Sequence, residues 1–239
     1  MQKQMFRTVA HLKKKQRILF LTTSNRWIGE NELPKSTLLA YKLAELINEP
    51  NLSERKVTIL EVPKLTIFPC EGNVSTKNGN TCGVKKALLK DDQKNPSGFH
   101  RCWASLNNKT DELWKISREL FDSEAVVFFT SVRWGQANSI YQKLIERLTW
   151  IENRHSTYQE SNIIKDIEAG IIVVGQNWNG KQAVKIERKV LGYFGFKTPA
   201  ALSWNWQYTN QVNDESPASY KNSFKKFNRL FLSKDQFVP

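Results

Sequence analysis

Hydroxyl and cationic side chains follow the first predicted strand of this sequence and could bind a phosphate group. Ser24 ends that strand, Arg26 lies in the loop after it, and Ser36 and Thr37 begin the helix predicted next. Hydroxyls and free backbone N–H groups at a helix N-terminus favour phosphate, and an arginine adds opposite charge. Neither a P-loop nor a G-x-G-x-x-G fingerprint occurs here, which argues against a P-loop nucleotidase and a standard Rossmann dehydrogenase. Ordinary helix capping is the alternative interpretation for any single hydroxyl.

Two further loops combine glycine, hydrogen-bonding groups and tryptophan, and together they could hold a planar heteroaromatic ring. An aromatic plane offers a stacking surface, while a backbone near glycine can approach a ligand closely. A plain strand-to-helix connection with a packed tryptophan is the alternative for each loop taken alone. The candidate residues after the third predicted strand are Thr130, Ser131, Val132, Arg133, Trp134 and Gly135, and those after the fourth are Asn177 and Gly180.

The predicted order of strands and helices gives these loops a common location. Five short apolar segments alternate with segments whose apolar residues recur at helical spacing, which predicts parallel strands joined by crossover helices. The sequence therefore predicts an α/β fold: a flavodoxin-like, doubly wound, five-stranded parallel sheet of order 2-1-3-4-5 with helices on both faces. A ligand then binds at the carboxyl ends of the first and third strands, where the three loops meet. The predicted strands cover residues 17–24, 56–62, 124–130, 169–174 and 198–204.

Composition predicts a soluble globular protein. We assign residues 1–16 to a basic N-terminal extension and residues 17–239 to one flavodoxin-like domain, with a long insertion after the second strand over residues 69–108. With 40% hydrophobic and 25% charged residues, the chain can bury a sizeable core, so wholesale disorder is excluded. Its apolar runs are too short to span a membrane, and residues 1–16 lack the apolar stretch of a secretory signal. Three sparse cysteines favour a reducing, cytoplasmic location.

The formal net charge of +13 favours anionic ligands or partners. The basic residues are scattered along the sequence, however, which argues against nucleic acid as the partner. A metal site is not predicted either. Cys70, Cys82, His100 and Cys102 lie in the insertion, but structural zinc sites usually contain closely spaced cysteine pairs that are missing here.

On these motifs the sequence resembles the flavodoxin-like NAD(P)H-dependent FMN reductases and the broader flavin oxidoreductases of that fold. Members of that family carry a similar first loop, a T-P-V-Y-W-G motif after strand three and a helix that ends in a D-R pair. Many also have a P-C pair after strand two and a later D-D pair. The similar residues here are 24–26 with 36–37, 130–135, 143–147, 69–70 and 91–92, and the resemblance spans residues 17–206.

The resemblance implies an FMN cofactor, NADH or NADPH as co-substrate, and a small-molecule electron acceptor (a quinone, a flavin, an azo or a nitro compound). It also implies a homo-oligomer, either a dimer or a tetramer. The flavin carries the chemistry, so no catalytic side chain is expected. Arg133, where the family more often has tyrosine, would favour a reduced, anionic flavin. By the resemblance, Ser24, Arg26, Ser36 and Thr37 bind the phosphate, residues 130–135 line the isoalloxazine, and Asn177 and Gly180 close the other side.

Two other functions are compatible with these residues. One is a non-catalytic flavin-binding or electron-carrier protein of flavodoxin-like fold, which NAD(P)H would not reduce. The other is a flavin-free phosphate or nucleotide binder whose basic charge serves RNA or an acidic partner.

Overall fold

The computed structural model, which describes residues 2–26, 32–48 and 56–233, contains one six-stranded sheet. Its strands are β1 (Arg17–Thr22), β2 (Lys56–Glu61), β3 (Ala125–Arg133), β4 (Gln136–Ala137), β5 (Glu168–Gly175) and β6 (Trp204–Gln207). Five are parallel, in the spatial order β2-β1-β3-β5-β6, and β4 pairs antiparallel with the end of β3. The predicted flavodoxin-like α/β class is confirmed. The predicted order 2-1-3-4-5 is corrected, because the two-residue β4, which has no apolar run to indicate it, precedes the fourth parallel strand.

Helices cover both faces of the sheet, as predicted. The helices are α1 (Gln2–Leu12), α2 (Lys35–Ile47), α3 (Trp103–Asn107), α4 (Leu113–Phe121), α5 (Ser139–Ser156), α6 (Gly180–Tyr193) and α7 (Pro217–Phe231). One core lies under α1, α2 and α7 and contains Ile18 and Phe20; the other lies under α4, α5 and α6 and contains Leu19 and Leu21. This alternation follows from the two-residue period of a strand that is buried on both faces. No helix among the described residues is long and apolar enough to cross a membrane.

Most of the segment assigned to an N-terminal extension forms α1, which docks on the sheet. The indole Nε1 of Trp204 donates to Thr8 Oγ1 (2.9 Å), and Thr8 Oγ1 donates to the carbonyl of Ala201 (2.6 Å). Lys3 and Arg7 of this segment therefore lie on a packed helix, and Lys13, Lys14 and Lys15 follow its end. The buried residues of α1 are Met5, Thr8, Val9 and Leu12.

A buried polar network fastens the insertion to α5. The side chain of Arg147 is fully buried; it pairs with Asp111 (Nη1–Oδ1 2.8 Å) and donates to the carbonyl of Phe68 (2.6 Å). Ser105 Oγ donates to the other oxygen of the Asp111 carboxylate (2.7 Å). Burial alone would raise the pKa of Asp111, but the hydrogen bonds from Arg147 hold it below its usual value. Phe68 and Asp111 flank the insertion and Ser105 belongs to it, so the network ties both ends of the insertion to α5.

Removing one partner of this pair leaves the other charge buried and uncompensated. We expect Asp111→Ala to lower the free energy of unfolding by about 3–5 kcal/mol, because the Arg147 guanidinium loses its counter-ion. The control is the exposed pair between Lys197 and Asp166 (3.1 Å), where Asp166→Ala should cost less than about 1 kcal/mol. Denaturant unfolding measures both losses. Equal losses would show that the Arg147 pair is not desolvated in solution.

His100 extends the same network and is held neutral. Its Nδ1 lies 2.8 Å from Ser117 Oγ and its Nε2 lies 2.9 Å from Ser105 Oγ. Burial lowers its pKa from 6.5 to about 4. As pH falls, the unfolded chain therefore binds this proton before the folded chain does.

We expect this histidine to make stability pH-dependent between pH 6.5 and pH 4. The folded state loses about 3 kcal/mol across this window, with no loss from this group above it, since each pKa unit corresponds to about 1.4 kcal/mol. His100→Gln should flatten the dependence. Denaturant unfolding of both proteins at several pH values measures the slopes, and equal slopes would contradict the assignment.

Candidate functional site

A cleft of about 720 Å³ opens at the carboxyl ends of β1, β3 and β5. β1 pairs with β2 on one side and with β3 on the other, so the strand order reverses at this point. The connections that leave β1 and β3 therefore diverge and leave a crevice between them. The cleft is lined by residues 24–26, 34–36, 131–135 and 174–178, together with Glu215 and Tyr220.

Nine of the twelve residues that sequence analysis singled out line this cleft. Thr37 and Thr130 are not among the residues that line it, and only 1% and 0% of their surface is exposed. Gly180 begins α6 and donates its N–H to Gln207 Oε1 (3.2 Å), so it lies beside β6 and not on the cleft wall. The nine lining residues are Ser24, Arg26, Ser36, Ser131, Val132, Arg133, Trp134, Gly135 and Asn177.

The first loop and the start of α2 form one end of the cleft. Ser36 Oγ donates to Ser24 Oγ (2.7 Å). Asn138, whose side chain caps α5, donates from Nδ2 to Ser131 Oγ (3.1 Å) and lies 3.5 Å from Ser24 Oγ. The N-cap of α2 is Pro34, which makes no side-chain cap, so within the described part of the chain the N–H groups of the first turn have no capping side chain. This end of the cleft offers hydroxyls and an uncapped helix N-terminus.

Two cations lie at the same end. Arg26 Nη1 pairs with Glu32 Oε1 at 2.5 Å. Lys35 Nζ donates to Ser223 Oγ (3.0 Å) and lies over the ring of Trp206 (5.6 Å). Burial, with the nearby charge of Arg26, lowers the pKa of Lys35 below its usual value. An anion bound here would favour the charged form of the lysine.

Three buried hydroxyls around this point have no hydrogen-bond partner among the described residues: the Oγ1 atoms of Thr22, Thr37 and Thr130. Thr22 ends β1, Thr37 lies in the first turn of α2, and Thr130 lies in β3. An unsatisfied buried polar group costs about 1–3 kcal/mol. Native structures contain few such groups, and each calls for an explanation such as a bound ligand.

The other end of the cleft is the hairpin of β3 and β4. Its two turn residues, Trp134 and Gly135, have φ values of +49° and +76°, as a two-residue type I′ turn requires. Asn179 Nδ2 donates to the carbonyl of Gly135 (2.6 Å), and a Cβ on Gly135 would lie 2.7 Å from the ring of Trp178. Only glycine allows this approach between the hairpin and the loop after β5. The Trp134 side chain remains 92% exposed beside the cleft.

Gly135→Ala tests whether the hairpin is held in this way. We expect a loss of about 1–3 kcal/mol in the free energy of unfolding, because the methyl group meets Trp178 and the backbone is strained. Gly192→Ala in α6 is the matched control: no atom lies within 4 Å of its added Cβ, and alanine should gain about 0.5–1 kcal/mol there. Denaturant unfolding measures the change in the free energy of unfolding for each variant. If Gly135→Ala left this free energy unchanged, the close packing of the hairpin against Trp178 would be contradicted.

The loop after β5 and the segment before α7 form another wall of the cleft. Asn177 Nδ2 donates to the carbonyl of Val212 (3.2 Å) and to Glu215 Oε1 (3.4 Å). Gln176 Nε2 donates to Ser219 Oγ (2.9 Å), whereas its Oε1 is buried without a partner among the described residues. This wall therefore presents one unsatisfied acceptor.

Sequence reasoning missed several lining residues. Gln176 and Trp178 belong to the loop that the sequence analysis predicted as part of the site, although it assigned only Asn177 and Gly180 there as binding residues. Glu215 and Tyr220 come from the α7 region and reach the cleft only through tertiary packing, for which no local signal exists. Within the described part of the chain, no group of three or more His, Cys, Asp or Glu side chains is placed to hold a metal ion.

No protein-family model and no curated protein matches this sequence. Among solved structures, the chain is similar to RosB with bound 8-demethyl-8-formylriboflavin-5'-phosphate, with 12% identity over 90% of this chain and 74% of that chain and a TM-score of 0.57. It is also similar to an azoreductase from Bacillus anthracis str. Sterne (17% identity, 90% and 98% of the chains, TM-score 0.48). A third is the apo form of the NADH:FMN oxidoreductase EMOB (12% identity, 91% and 89%, TM-score 0.45).

The likeness to RosB agrees with the fold that the sequence predicts. At this level of identity the likeness to RosB establishes the fold, and the chain has the flavodoxin-like α/β fold.

Proposed function

We propose that the protein is an FMN-dependent oxidoreductase that uses NADH or NADPH to reduce a quinone, a flavin, an azo or a nitro compound. The observation that carries the proposal is the two-ended cleft where the strand order reverses. One end offers hydroxyls, an uncapped helix N-terminus and two cations, and the other offers a glycine hairpin with a tryptophan. FMN has the complementary shape, with a phosphate at one end and a planar ring at the other.

In this proposal the phosphate binds at the start of α2. The hydroxyls of Ser24, Ser36 and Thr37 donate to its oxygens, and Arg26 and Lys35 neutralise its charge. The fit is supported by Thr37 Oγ1, which is buried without a partner among the described residues. A phosphate oxygen would supply the acceptor that this hydroxyl lacks.

The ring binds between the hairpin and the loop after β5. Backbone N–H groups of residues 132–135 donate to the ring edge, while the unsatisfied Oε1 of Gln176 accepts from a ring N–H. Arg133 is exposed on the hairpin, and its charge near the ring favours a reduced, anionic flavin. Bound FMN supplies hydride and electron transfer, and the chain's part is to hold the ring and exclude water.

The proposal includes a homo-oligomer in a cytoplasmic setting. The family that the sequence resembles commonly forms oligomers, and the exposed Trp134 lies where a second subunit could contact the cleft. Exposed tryptophan is enriched at the centres of protein interfaces.

Thr37→Val tests the phosphate end without opening a cavity. Valine has nearly the shape of threonine, and the hydroxyl has no partner among the described residues, so we expect the variant to be at least as stable as the wild type. The loss of a hydrogen bond to a charged group, about 1.5–3 kcal/mol, should weaken FMN binding by roughly ten- to a hundredfold. Riboflavin, which lacks the phosphate, should bind both proteins equally. Flavin fluorescence titration measures these affinities.

Thr149→Val is the control for this substitution. Thr149 Oγ1 donates to the carbonyl of Ile145 within α5, so its removal should leave both flavin affinities unchanged. Equal weakening of FMN and riboflavin by Thr37→Val would contradict the phosphate assignment.

The visible absorption spectrum tests the function itself. Protein incubated with FMN and freed of excess should retain a flavin band, which NADH or NADPH should bleach under anaerobic conditions. Absence of any band would overturn the proposal and leave a flavin-free phosphate binder. A retained band that neither nicotinamide bleaches would identify an electron carrier instead.

A further inference from the structure

The outer edge of β6 is open in the described part of the chain. β6 pairs with β5 on one side and with no described strand on the other. Edge strands present N–H and C=O groups that can pair with a further strand, and natural proteins usually block such edges or use them. The strand order reverses between β1 and β3, and the edge of β6 lies beyond β5 from that point.

One groove lies on each side of this strand. The α6 groove, of about 1430 Å³, is bordered by Ser203, Asn205 and Gln207. The α1 groove, of about 450 Å³, is bordered by Trp204, and Gln4 borders both grooves. This alternation is the two-residue period of β6 itself. A strand added to the edge would send its own successive side chains alternately into the two grooves.

The α6 groove is basic. Lys181, Lys185 and Lys189 follow at four-residue spacing, so they form one exposed row along α6. Arg188 also borders the groove and donates to a backbone carbonyl. No Asp or Glu lines the groove among the described residues, because Glu187, the carboxylate of α6, is buried on the opposite side of the helix. Acidic side chains are the complement of this row.

The α1 groove has a different chemistry. Small and apolar side chains make up half of its lining residues, and Arg7 and Lys14 also line it. His11 also borders it and is bonded to Glu168 (2.6 Å). A groove of this kind takes apolar side chains. The small and apolar lining residues are Ala10, Ala200, Ala201 and Trp204.

We propose that the β6 edge docks an extended segment of a partner protein in which acidic residues alternate with apolar ones. The backbone of the segment pairs with the open edge of β6, its acidic side chains enter the α6 groove, and its apolar side chains enter the α1 groove. A second copy of this chain is a poor occupant, because it would bring an identical lysine row to the same edge. A nucleic acid has no alternating N–H and C=O groups to pair with β6.

The probe is an acetylated and amidated ten-residue peptide in which Glu alternates with Val, labelled for fluorescence anisotropy with the full chain. We expect it to bind, and a Lys–Val peptide of the same length not to bind. Two further peptides carry N-methyl groups on every second residue, one on the odd-numbered and one on the even-numbered residues. Because only one of these two sets of N–H groups faces β6, one peptide should lose binding and the other should bind as before. Equal binding of the two N-methylated peptides would overturn the proposed pairing with β6.

Charge-reversal variants test the position of the site. Lys181→Glu, Lys185→Glu and Lys189→Glu together should weaken binding at least tenfold. The matched control is Lys221→Glu, Lys225→Glu and Arg229→Glu, an exposed row of the same charge and spacing on α7, which should leave binding unchanged. Circular dichroism checks that both triple variants fold. If the α6 Glu variant does not fold, a variant with Lys→Gln at the same three positions replaces it.

Three outcomes would overturn the proposal. Equal weakening by the two triple variants would show attraction to net charge alone. Tighter binding of a ten-nucleotide oligo-dT than of the Glu–Val peptide would identify a nucleic-acid groove. A Lys→Gln variant that gains a dimer and never binds the peptide would show that the lysine row only protects the edge from self-pairing.

Discussion

Parallel pairing of β1 with a strand on each side is the constraint on which the rest of the structure depends. Parallel neighbours require crossover connections, and right-handed crossovers in opposite directions along the sheet place their helices on opposite faces. Accordingly α2 and α4 cover different cores. The two connections separate above the end of β1, and no backbone element can close the gap without breaking the order. The hydroxyls of Ser24 and Ser36 and the first turn of α2 are left facing that gap.

Helix α5 links this gap to the insertion. Its cap, Asn138, donates to Ser131 and lies beside Ser24, while Arg147 further along the helix pairs with Asp111. Burying a guanidinium is costly, and the carboxylate together with a backbone carbonyl offsets that cost only while all partners stay in place. The geometry that satisfies Arg147 therefore fixes the insertion on the domain. The same rigid helix then holds the polar groups at the base of the cleft.

Much of the fold could be predicted from the sequence, because strands buried on both faces read as short apolar runs between helical patterns. The site loops followed from the order of those strands. The β4 hairpin could not be predicted, since Trp134 occupies a turn position that requires a positive φ, which a bulky residue rarely adopts. The pairing of Arg147 with Asp111, and the approach of Glu215 to the cleft, join segments distant in sequence. Such contacts leave no local pattern, and packing alone decides them.

The net charge of +13 divides into parts with different physical roles, which composition alone could not separate. In the cleft, Arg26 already has a carboxylate partner, and Lys35 is partly desolvated, so a bound anion interacts with Lys35 at reduced dielectric. The row at Lys181, Lys185 and Lys189 is exposed and faces no carboxylate in the groove among the described residues. Salt screens exposed charges far more than buried ones. Rising ionic strength should therefore weaken binding at the β6 edge much more than binding in the cleft, because the two sites hold their anions in different dielectric surroundings.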